Sequence, residues 1–278
     1  MLGLLLICGI IGLLVLVLKH LIDKKAYKRR IQRSDAELWS RVAEIIDRPT
    51  NTSQECHEPA RAAWQTTETP QERERPPVRQ HAKPELDKFL DVKRKTQVVV
   101  LDVETNGLSG ESSVLSCSAI KCEIDPSTYE MNELGRFDRY YYPVEPFDPS
   151  AIAVNGLTGD AIANRRGDAS YPKHFTEDPG FEQFCAGVVR FVAHNISFDA
   201  QFIPFVGRKK KLCTMITNMD IVAVAFLRRK NQWKWPTLSE TASHYGISVS
   251  RSDLHSSMTD TEITAEIFGK MLHAARLG

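Results

Sequence analysis

The segment LDVETNGL, residues 101–108, comes directly after a short apolar run, QVVVL at residues 97–101. So short a run between polar residues indicates a buried strand rather than a helix. Side chains alternate between the two faces of a strand, so Asp102 and Glu104 project to the same side. Two neighbouring carboxylates repel each other, and a hard cation such as Mg²⁺ or Mn²⁺ would offset this repulsion.

A turn follows this strand. Thr105, Asn106 and Gly107 end it, and Gly107 permits a tight turn or the close approach of a ligand to the backbone. An acidic pair beside a glycine turn is also typical of a strand that enters a solvated hairpin. The metal interpretation therefore needs further carboxylates from other parts of the chain.

The composition is that of an ordinary globular protein, because 42% of the 278 residues are hydrophobic and 26% are charged. The net charge of +1 is unevenly distributed: residues 1–95 hold 18 Lys and Arg against 13 Asp and Glu, and residues 96–278 hold 18 against 22. Metals can offset part of an acidic domain's charge, so net charge neither supports nor excludes a nucleic-acid substrate. The six cysteines show no zinc-ligand spacing, which predicts reduced thiols in a reducing compartment.

Residues 2–18 form an uncharged apolar run, which predicts a transmembrane anchor over residues 1–22. A cleaved signal peptide is the alternative, but no basic segment precedes the run and no small-residue cleavage site follows it. Seven Lys and Arg residues lie between positions 19 and 33, opposed only by Asp23. The positive-inside rule then predicts a single-pass protein of the cell membrane, with the rest of the chain in the cytoplasm.

Two segments are expected between this anchor and the globular domain. Residues 23–48 are predicted to form a basic juxtamembrane helix, which restarts at a capping box of Ser34 and Glu37. This helix either lies against anionic lipid headgroups or forms a solvated stalk. Residues 49–95 are polar and rich in proline, which predicts a disordered linker. The globular domain is then expected over residues 96–278.

The globular domain is predicted to begin with an antiparallel meander, because further strands are expected at residues 114–124 and 135–143. A fourth strand is expected at residues 189–195. Strands followed by alternating helices and strands indicate an α/β fold with a mixed sheet. The predicted helices cover residues 178–189, 198–206, 220–228, 237–245 and 257–276.

Two later segments supply further acids. HNISFD at residues 194–199 lies at a predicted strand-to-helix junction, and HSSMTD at residues 255–260 leads into the last predicted helix. Taken singly, Asp199 is explained as a helix-start aspartate and Asp260 as an exposed acid of its helix. His255 is likewise explained as a surface histidine. Their order along the chain favours a shared site.

The order is Asp-x-Glu on the first strand, His-Asn-x-x-Phe-Asp before a middle helix, and His-x-x-x-x-Asp on the last helix. It closely resembles the three motifs of the DnaQ-like, DEDDh-type 3′→5′ exonucleases. The resemblance covers about residues 96–275 and includes AVNGLTGD at 153–160, with Asn155 in the position of a family histidine, and LSETASHYGI at 238–247. It implies a ribonuclease H-like fold, a five-stranded mixed sheet flanked by helices.

The resemblance also implies roles for individual residues. Four acids would hold two Mg²⁺ or Mn²⁺ ions: Asp102, Glu104, Asp199 and Asp260. His255 would take the proton from the attacking water. The product would be a 5′-nucleoside monophosphate, released from the 3′ end of DNA or RNA. Substrate contacts are expected from six residues: Thr105, Asn106, Gly107, Leu108, His194 and Asn195.

Other substrate contacts have plain structural alternatives. The basic runs at residues 208–211 and 228–230 would follow a phosphate backbone, or they are simply solvated. Trp233 and Trp235 would stack on bases, or they pack in the core. Phe198 would line the same cleft, and core packing is its favoured interpretation.

The chain departs from the family pattern at Asn106, where a second threonine is usual, and at residues 256–259. Neither departure removes a metal ligand, so we expect an active enzyme. A catalytically silent nucleic-acid-binding module and a proofreading partner of a DNA polymerase are the alternatives. The sequence ends soon after its last predicted helix and no clamp-binding peptide is recognisable, which disfavours a polymerase partner.

Overall fold

The computed structural model describes residues 75–91, 93–250 and 256–277, all of which belong to one compact unit. The predicted anchor and the basic juxtamembrane helix lie outside these residues, as does His255. None of the helices in the three described ranges combines the length and the apolar character that a bilayer crossing needs. The anchor therefore stays a prediction from sequence.

One mixed sheet organises the described residues. It consists of β1 (Thr96–Thr105), β2 (Val114–Ile124), β3 (Met131–Tyr140), β4 (Arg190–Ala193) and β5 (Lys210–Cys213). The strand order is β3-β2-β1-β4-β5. The first three strands pair antiparallel, whereas β4 runs parallel to β1 and β5 runs parallel to β4. This is the five-stranded mixed sheet that the family resemblance implied.

The central strand, β1, is buried on both faces. Val98 and Val100 belong to the hydrophobic cluster on one face, and Val99 and Leu101 belong to the cluster on the other. All four side chains are fully buried. A strand that is covered on both sides has a continuous apolar sequence, which is why the valine run marked the centre of the sheet.

Helices pack on both faces of this sheet. The longest helix of the described residues, α10, spans Ser257–Leu277, as predicted, and buries Phe268 and Met271 in the cluster that contains Val98. A 3₁₀ turn covers Phe175–Glu177, and a short hairpin is formed by β6 (Phe226–Leu227) and β7 (Gln232–Trp233). The other helices are α1 (Lys83–Phe89), α2 (Pro149–Asn155), α3 (Gly159–Arg166), α4 (Gly180–Phe184), α5 (Ile196–Phe202), α6 (Pro204–Gly207), α7 (Thr214–Thr217), α8 (Met219–Val222) and α9 (Leu238–His244).

Several predicted helix boundaries are wrong. The helix predicted at residues 220–228 ends at Val222, because Ala223 adopts a left-handed backbone with φ 46° and the chain enters β6. The helix predicted at residues 198–206 is divided into α5 and α6 at Pro204, which cannot donate a backbone hydrogen bond. The helix predicted at 178–189 is reduced to the single turn of α4. The predicted helix over 237–245 is confirmed as α9, with Thr237 as its N-cap.

The predicted linker is wrong at its C-terminal end. Leu86 and Phe89 of α1, together with Leu90, are buried in the same cluster as α10. The Phe89 ring meets the Phe268 ring edge to face, with 6.3 Å between centroids. The segment has few apolar residues, but these recur at helical spacing and so form one buried stripe. The folded domain therefore includes residues 83–90.

We expect Leu86→Ala to lower the free energy of unfolding by about 2–4 kcal/mol, because it leaves a cavity between α1 and the cluster. Val78→Ala is the control, since Val78 is 56% exposed, and it should change the free energy by less than about 0.5 kcal/mol. Urea unfolding followed by tryptophan fluorescence measures both. An equally small effect at the two positions would contradict the inclusion of α1 in the core.

Candidate active site

Three carboxylates from distant parts of the chain meet near the end of β1. Asp102, Glu104 and Asp260 each offer one carboxylate oxygen, and these oxygens lie within 4.8 Å of one another. The first two share a face of β1, as their spacing predicted, and Asp260 lies in the first turn of α10. The structure therefore brings together three of the four acids that the sequence assigned to a metal.

Buried hydroxyl groups fix the start of α10 against β2. Ser257 Oγ lies 2.7 Å from Ser118 Oγ, which donates a hydrogen bond of 2.7 Å to Asp138. Ser118 is the residue of β2 that pairs with Asp102 of β1. Because α10 begins at Ser257, this contact sets the first turn of the helix, and Asp260 with it, beside the acidic pair.

Asp199 borders this cluster as a fourth carboxylate. It lies in the first turn of α5 and is 2% exposed. Its Oδ1 accepts a hydrogen bond of 3.2 Å from the backbone N–H of Val103, the residue between the two acids of β1. The backbone of the central strand therefore holds Asp199 next to the cluster.

The four acids are closely spaced like charges, Asp199 buried and the other three half-buried, and the pKa values of three of them rise as a result. Burial raises the pKa of Asp102 well above its usual value, and the charges of Asp199, Glu104 and Asp260 raise it further. Burial and the charge of Asp260 raise the pKa of Glu104 to about 8. Burial raises the pKa of Asp199 to about 7. A set of oxygen donors that cannot all ionise alone fits a divalent cation such as Mg²⁺ or Mn²⁺.

Asn155, at the end of α2, is a site residue that had no predicted role. Its side chain hydrogen-bonds Glu104 and thereby lowers the pKa of that carboxyl, against the effect of burial. Its Nδ2 also donates to the carbonyl oxygen of Thr105 at 3.2 Å, and its Oδ1 accepts from Leu157 N at 3.0 Å. Asn155 therefore positions one acid and the end of β1. The signal that could have found it was its place in the AVNGLTGD segment.

Asn106 was predicted to contact substrate, and the structure places its side chain inside the fold, 3% exposed. Its Nδ2 donates to Glu145 Oε1 at 3.0 Å and to the Pro146 carbonyl oxygen at 2.9 Å. Its Oδ1 accepts from the backbone N–H of Asp148 at 2.9 Å. The amide thus braces the loop after β1 against residues 145–148, which explains what an asparagine does at a position where the family usually has threonine.

The rest of this loop is shaped by close contacts. Thr105 is buried, and its hydroxyl donates to the Gly107 carbonyl oxygen at 2.7 Å. A Cβ at Gly107 would lie 2.7 Å from Ser112 Oγ, so a side chain there would require the Ser112 hydroxyl to turn away. Leu108 is 61% exposed. Of the four predicted contact residues in this loop, Leu108 therefore presents the most open side chain.

His194 and Asn195 lie where β4 passes into α5. Burial lowers the pKa of His194 to about 4, so the ring is neutral at pH 7. Its Nε2 lies 3.1 Å from the Pro236 carbonyl oxygen, to which it donates, and its Nδ1 lies 3.0 Å from Thr214 Oγ1. Both ring nitrogens are therefore engaged within the fold. Asn195 is exposed, with a left-handed backbone of φ 74°.

Residues 99–268 match the model of the exonuclease family RNase_T. This match covers more than half of the chain, so the chain belongs to that exonuclease family. The resemblance to the DnaQ-like exonucleases of ribonuclease H-like fold is confirmed.

Curated relatives include DNA polymerase subunits. The DNA polymerase III subunit epsilon of Pasteurella multocida is 24% identical over 188 residues, which cover 64% of this chain and 68% of that protein. The PolC-type DNA polymerase III of Staphylococcus haemolyticus is 29% identical over 184 residues, which cover 66% of this chain and 12% of that protein. The chain therefore spans only a small part of the PolC-type relatives.

Solved structures with a similar chain path include two nucleases bound to DNA. Exonuclease X in complex with 5′ overhanging duplex DNA has a TM-score of 0.45 and 20% identity, covering 63% of this chain and 91% of that chain. Escherichia coli exonuclease I in complex with a dA16 oligonucleotide has a TM-score of 0.42 and 14% identity, covering 62% of this chain and 40% of that chain.

We expect Mg²⁺ or Mn²⁺ to raise the melting temperature, because a cation bound by the acids offsets their repulsion and binds only the folded state. In EDTA, the melting temperature of Asp102→Asn should exceed that of the wild type by about 2–4 °C, which corresponds to roughly 1 kcal/mol. Added metal should raise the melting temperature of this variant only slightly. Asp160→Asn, an exposed change in α3, should behave like the wild type. A wild-type melting temperature that neither ion changes would contradict cation binding.

The carboxyl of Glu145 has a lowered pKa in the folded protein. Burial opposes its ionisation, but hydrogen bonds from the backbone and side chain of Ser113 and from Asn106 outweigh burial and lower its pKa to about 2. A carboxyl whose folded pKa is depressed stabilises the fold above its unfolded pKa, and this contribution is lost as the pH falls through the folded pKa.

Glu145→Gln should therefore lower the free energy of unfolding by about 1 kcal/mol at pH 7, since Glu145 is partly exposed. The difference from the wild type should narrow as the pH falls from about 4.5 towards 2. Urea unfolding at several pH values measures it, with the exposed Glu182→Gln as the control. If the difference in the free energy of unfolding between Glu145→Gln and the wild type does not change with pH, the lowered pKa of Glu145 is contradicted.

Proposed function

We propose that the protein is a metal-dependent 3′→5′ exonuclease that releases 5′-nucleoside monophosphates from the 3′ ends of DNA or RNA. In this proposal residues 1–22 anchor it to the membrane, with the catalytic domain on the cytoplasmic side. The observation that carries the nuclease activity is the convergence of Asp102, Glu104 and Asp260 within 4.8 Å, with Asp199 held beside them. The order of the sequence motifs supports the 3′→5′ direction.

The residues of the chain divide the work of this reaction. Divalent cations bound by the four acids would neutralise phosphate charge and promote ionisation of the attacking water. The Val103 N–H keeps Asp199 in place, and Asn155 does the same for Glu104, so the acids meet the substrate in a fixed arrangement. His255 would accept the proton of the water, because an imidazole titrates near neutral pH. Leu108 would lie against the terminal nucleotide.

We expect nucleotide release from a 3′-labelled single-stranded oligomer with Mg²⁺ or Mn²⁺, and none in EDTA. Asp102→Ala should abolish release, because it removes a carboxylate from the centre of the cluster. His255→Ala should lower the rate by about 10²–10⁴-fold, the usual contribution of a general base, and should keep the metal-induced rise in melting temperature. Chromatography of the products identifies the 5′-monophosphate.

Matched ribo- and deoxyribo-oligomers in the same assay determine the preferred sugar, and Asp160→Asn serves as the active control. Release by Asp102→Ala at the wild-type rate would refute the proposal. Binding of the oligomer without hydrolysis under any divalent metal would indicate the silent binding module instead.

A second candidate function is that of a proofreading partner of a DNA polymerase. It is favoured by the similarity to the epsilon subunit of Pasteurella multocida. The two candidates share the same site chemistry and differ in whether a stable complex with a polymerase forms. Co-purification with a polymerase would favour the second.

A further inference from the structure

A basic hairpin, defined as residues 226–235, lies between α8 and α9. Its two strands, β6 and β7, pair Phe226 with Trp233. Among the described residues no ion pair or hydrogen bond involves the side chains of the cations at its tip. These exposed cations are Arg228, Arg229 and Lys230.

The base of the basic hairpin is fixed to the domain. The Trp233 ring is buried and contacts the Phe226 ring, with 5.5 Å between centroids. The backbone N–H of Lys234 donates to the Ala225 carbonyl oxygen at 2.7 Å, and its Nζ donates to Glu240 at the same distance. Because the base of the hairpin is packed against the domain, the three cations lie on an element of fixed position. Less conformational freedom is therefore lost when they bind a ligand.

This base is tied to the sheet edge that bears the acids. The Pro236 carbonyl oxygen, one residue past the hairpin, accepts a hydrogen bond from His194 Nε2. β4 runs parallel to β1 with Val192 beside Val100, and continuing that register brings His194 level with Asp102. The base of the hairpin is therefore attached to the end of the sheet at which the acids would act on a phosphodiester.

The two tryptophans of this region face different surroundings. Trp233 is 7% exposed, which confirms core packing, whereas Trp235 is 55% exposed. An exposed indole on the same hairpin as unpaired cations is a combination that binds single-stranded nucleic acids, because the ring stacks on bases of any sequence and the cations bind phosphates.

We propose that the basic hairpin binds the single-stranded part of the substrate upstream of the 3′ end, with its three cations on phosphates and Trp235 stacked on a base. The inference rests on the proposed exonuclease function and adds a binding surface for the part of the unpaired strand that lies upstream of the 3′ end. The tie to the acid-bearing edge favours a nucleic-acid strand over a lipid surface as the partner.

The chain provides a matched control for charge. Lys209, Lys210 and Lys211 are also consecutive and exposed. Lys210 pairs with Arg190 at the start of the parallel strands β5 and β4, so this run lies at the sheet edge opposite the acids. Removing these three charges changes the net charge as much as removing those of the hairpin.

The experiment compares R228A/R229A/K230A, Trp235→Ala and the control K209A/K210A/K211A. Each is assayed on a long single-stranded oligomer and on the p-nitrophenyl ester of thymidine 5′-monophosphate, which has no upstream nucleotides. The hairpin triple variant should raise KM for the oligomer at least about tenfold and flatten its salt dependence. Trp235→Ala should raise this KM by roughly tenfold. Hydrolysis of the ester should be unchanged in all three, and the control should match the wild type on both substrates.

Binding is measured separately, as the anisotropy of a labelled oligomer with Ca²⁺ in place of the catalytic metal. If the wild type hydrolyses neither substrate, the proposed function fails, and a specific loss of affinity in the hairpin variants still supports the inference.

Unchanged KM and affinity in the hairpin triple variant would overturn the inference, as would an equal loss in the control. A decrease in ester hydrolysis as large as the decrease in oligomer hydrolysis would also overturn the inference, because the hairpin would then only support the structure of the active site. Weakened binding to phosphatidylserine vesicles with oligomer binding intact would assign the surface to a membrane instead.

Discussion

Repulsion among closely spaced, largely desolvated carboxylates is the constraint on which the rest of this domain depends. Asp102, Glu104 and Asp260 are held within 4.8 Å of one another, with Asp199 beside them. Burying an uncompensated charge costs several kcal/mol, so other parts of the fold must offset that cost. The valines of β1 and the apolar face of α10 do so, because both are buried in the hydrophobic clusters of the domain. A bound cation would relieve the repulsion, so the same groups oppose folding and favour metal binding.

The acids keep their arrangement because each stands on, or is bound to, a regular element. The backbone of β1 binds Asp199, and the contact between Ser118 and Ser257 fixes the start of α10. Asn155 joins the end of α2 to Glu104. These second contacts are hydrogen bonds from neutral backbone, hydroxyl and amide groups, and they determine orientation where the acids alone would move apart. The site is therefore defined as much by serine and asparagine side chains as by the carboxylates.

Periodicity explains which features the sequence could predict. The period of two in a strand places Asp102 and Glu104 on one face, and the period of a helix marked the buried face of α10. Tertiary packing sets the register of β1 against β4 and the short distance between Asp260 and the two acids of β1. β5 was missed because the cations from Arg208 to Lys211 show no apolar alternation. The side chain of Asn106 was misplaced because its partners lie some forty residues along the chain, at Glu145 to Asp148.

The distribution of charge in the domain separates a cluster of acids from a group of exposed cations. Residues 96–278 are acidic overall, and net charge alone would predict repulsion of a polyanion. Four of these acids converge at one site, whereas the three cations at the tip of the basic hairpin are exposed and unpaired among the described residues. His194 joins the two regions, because it donates to Pro236 beside the hairpin while its own strand runs next to β1. Under the proposed function, a polyanion would be held at the periphery while its scissile phosphate meets acids that only a metal makes attractive. Local arrangement rather than net charge decides what such a domain can bind.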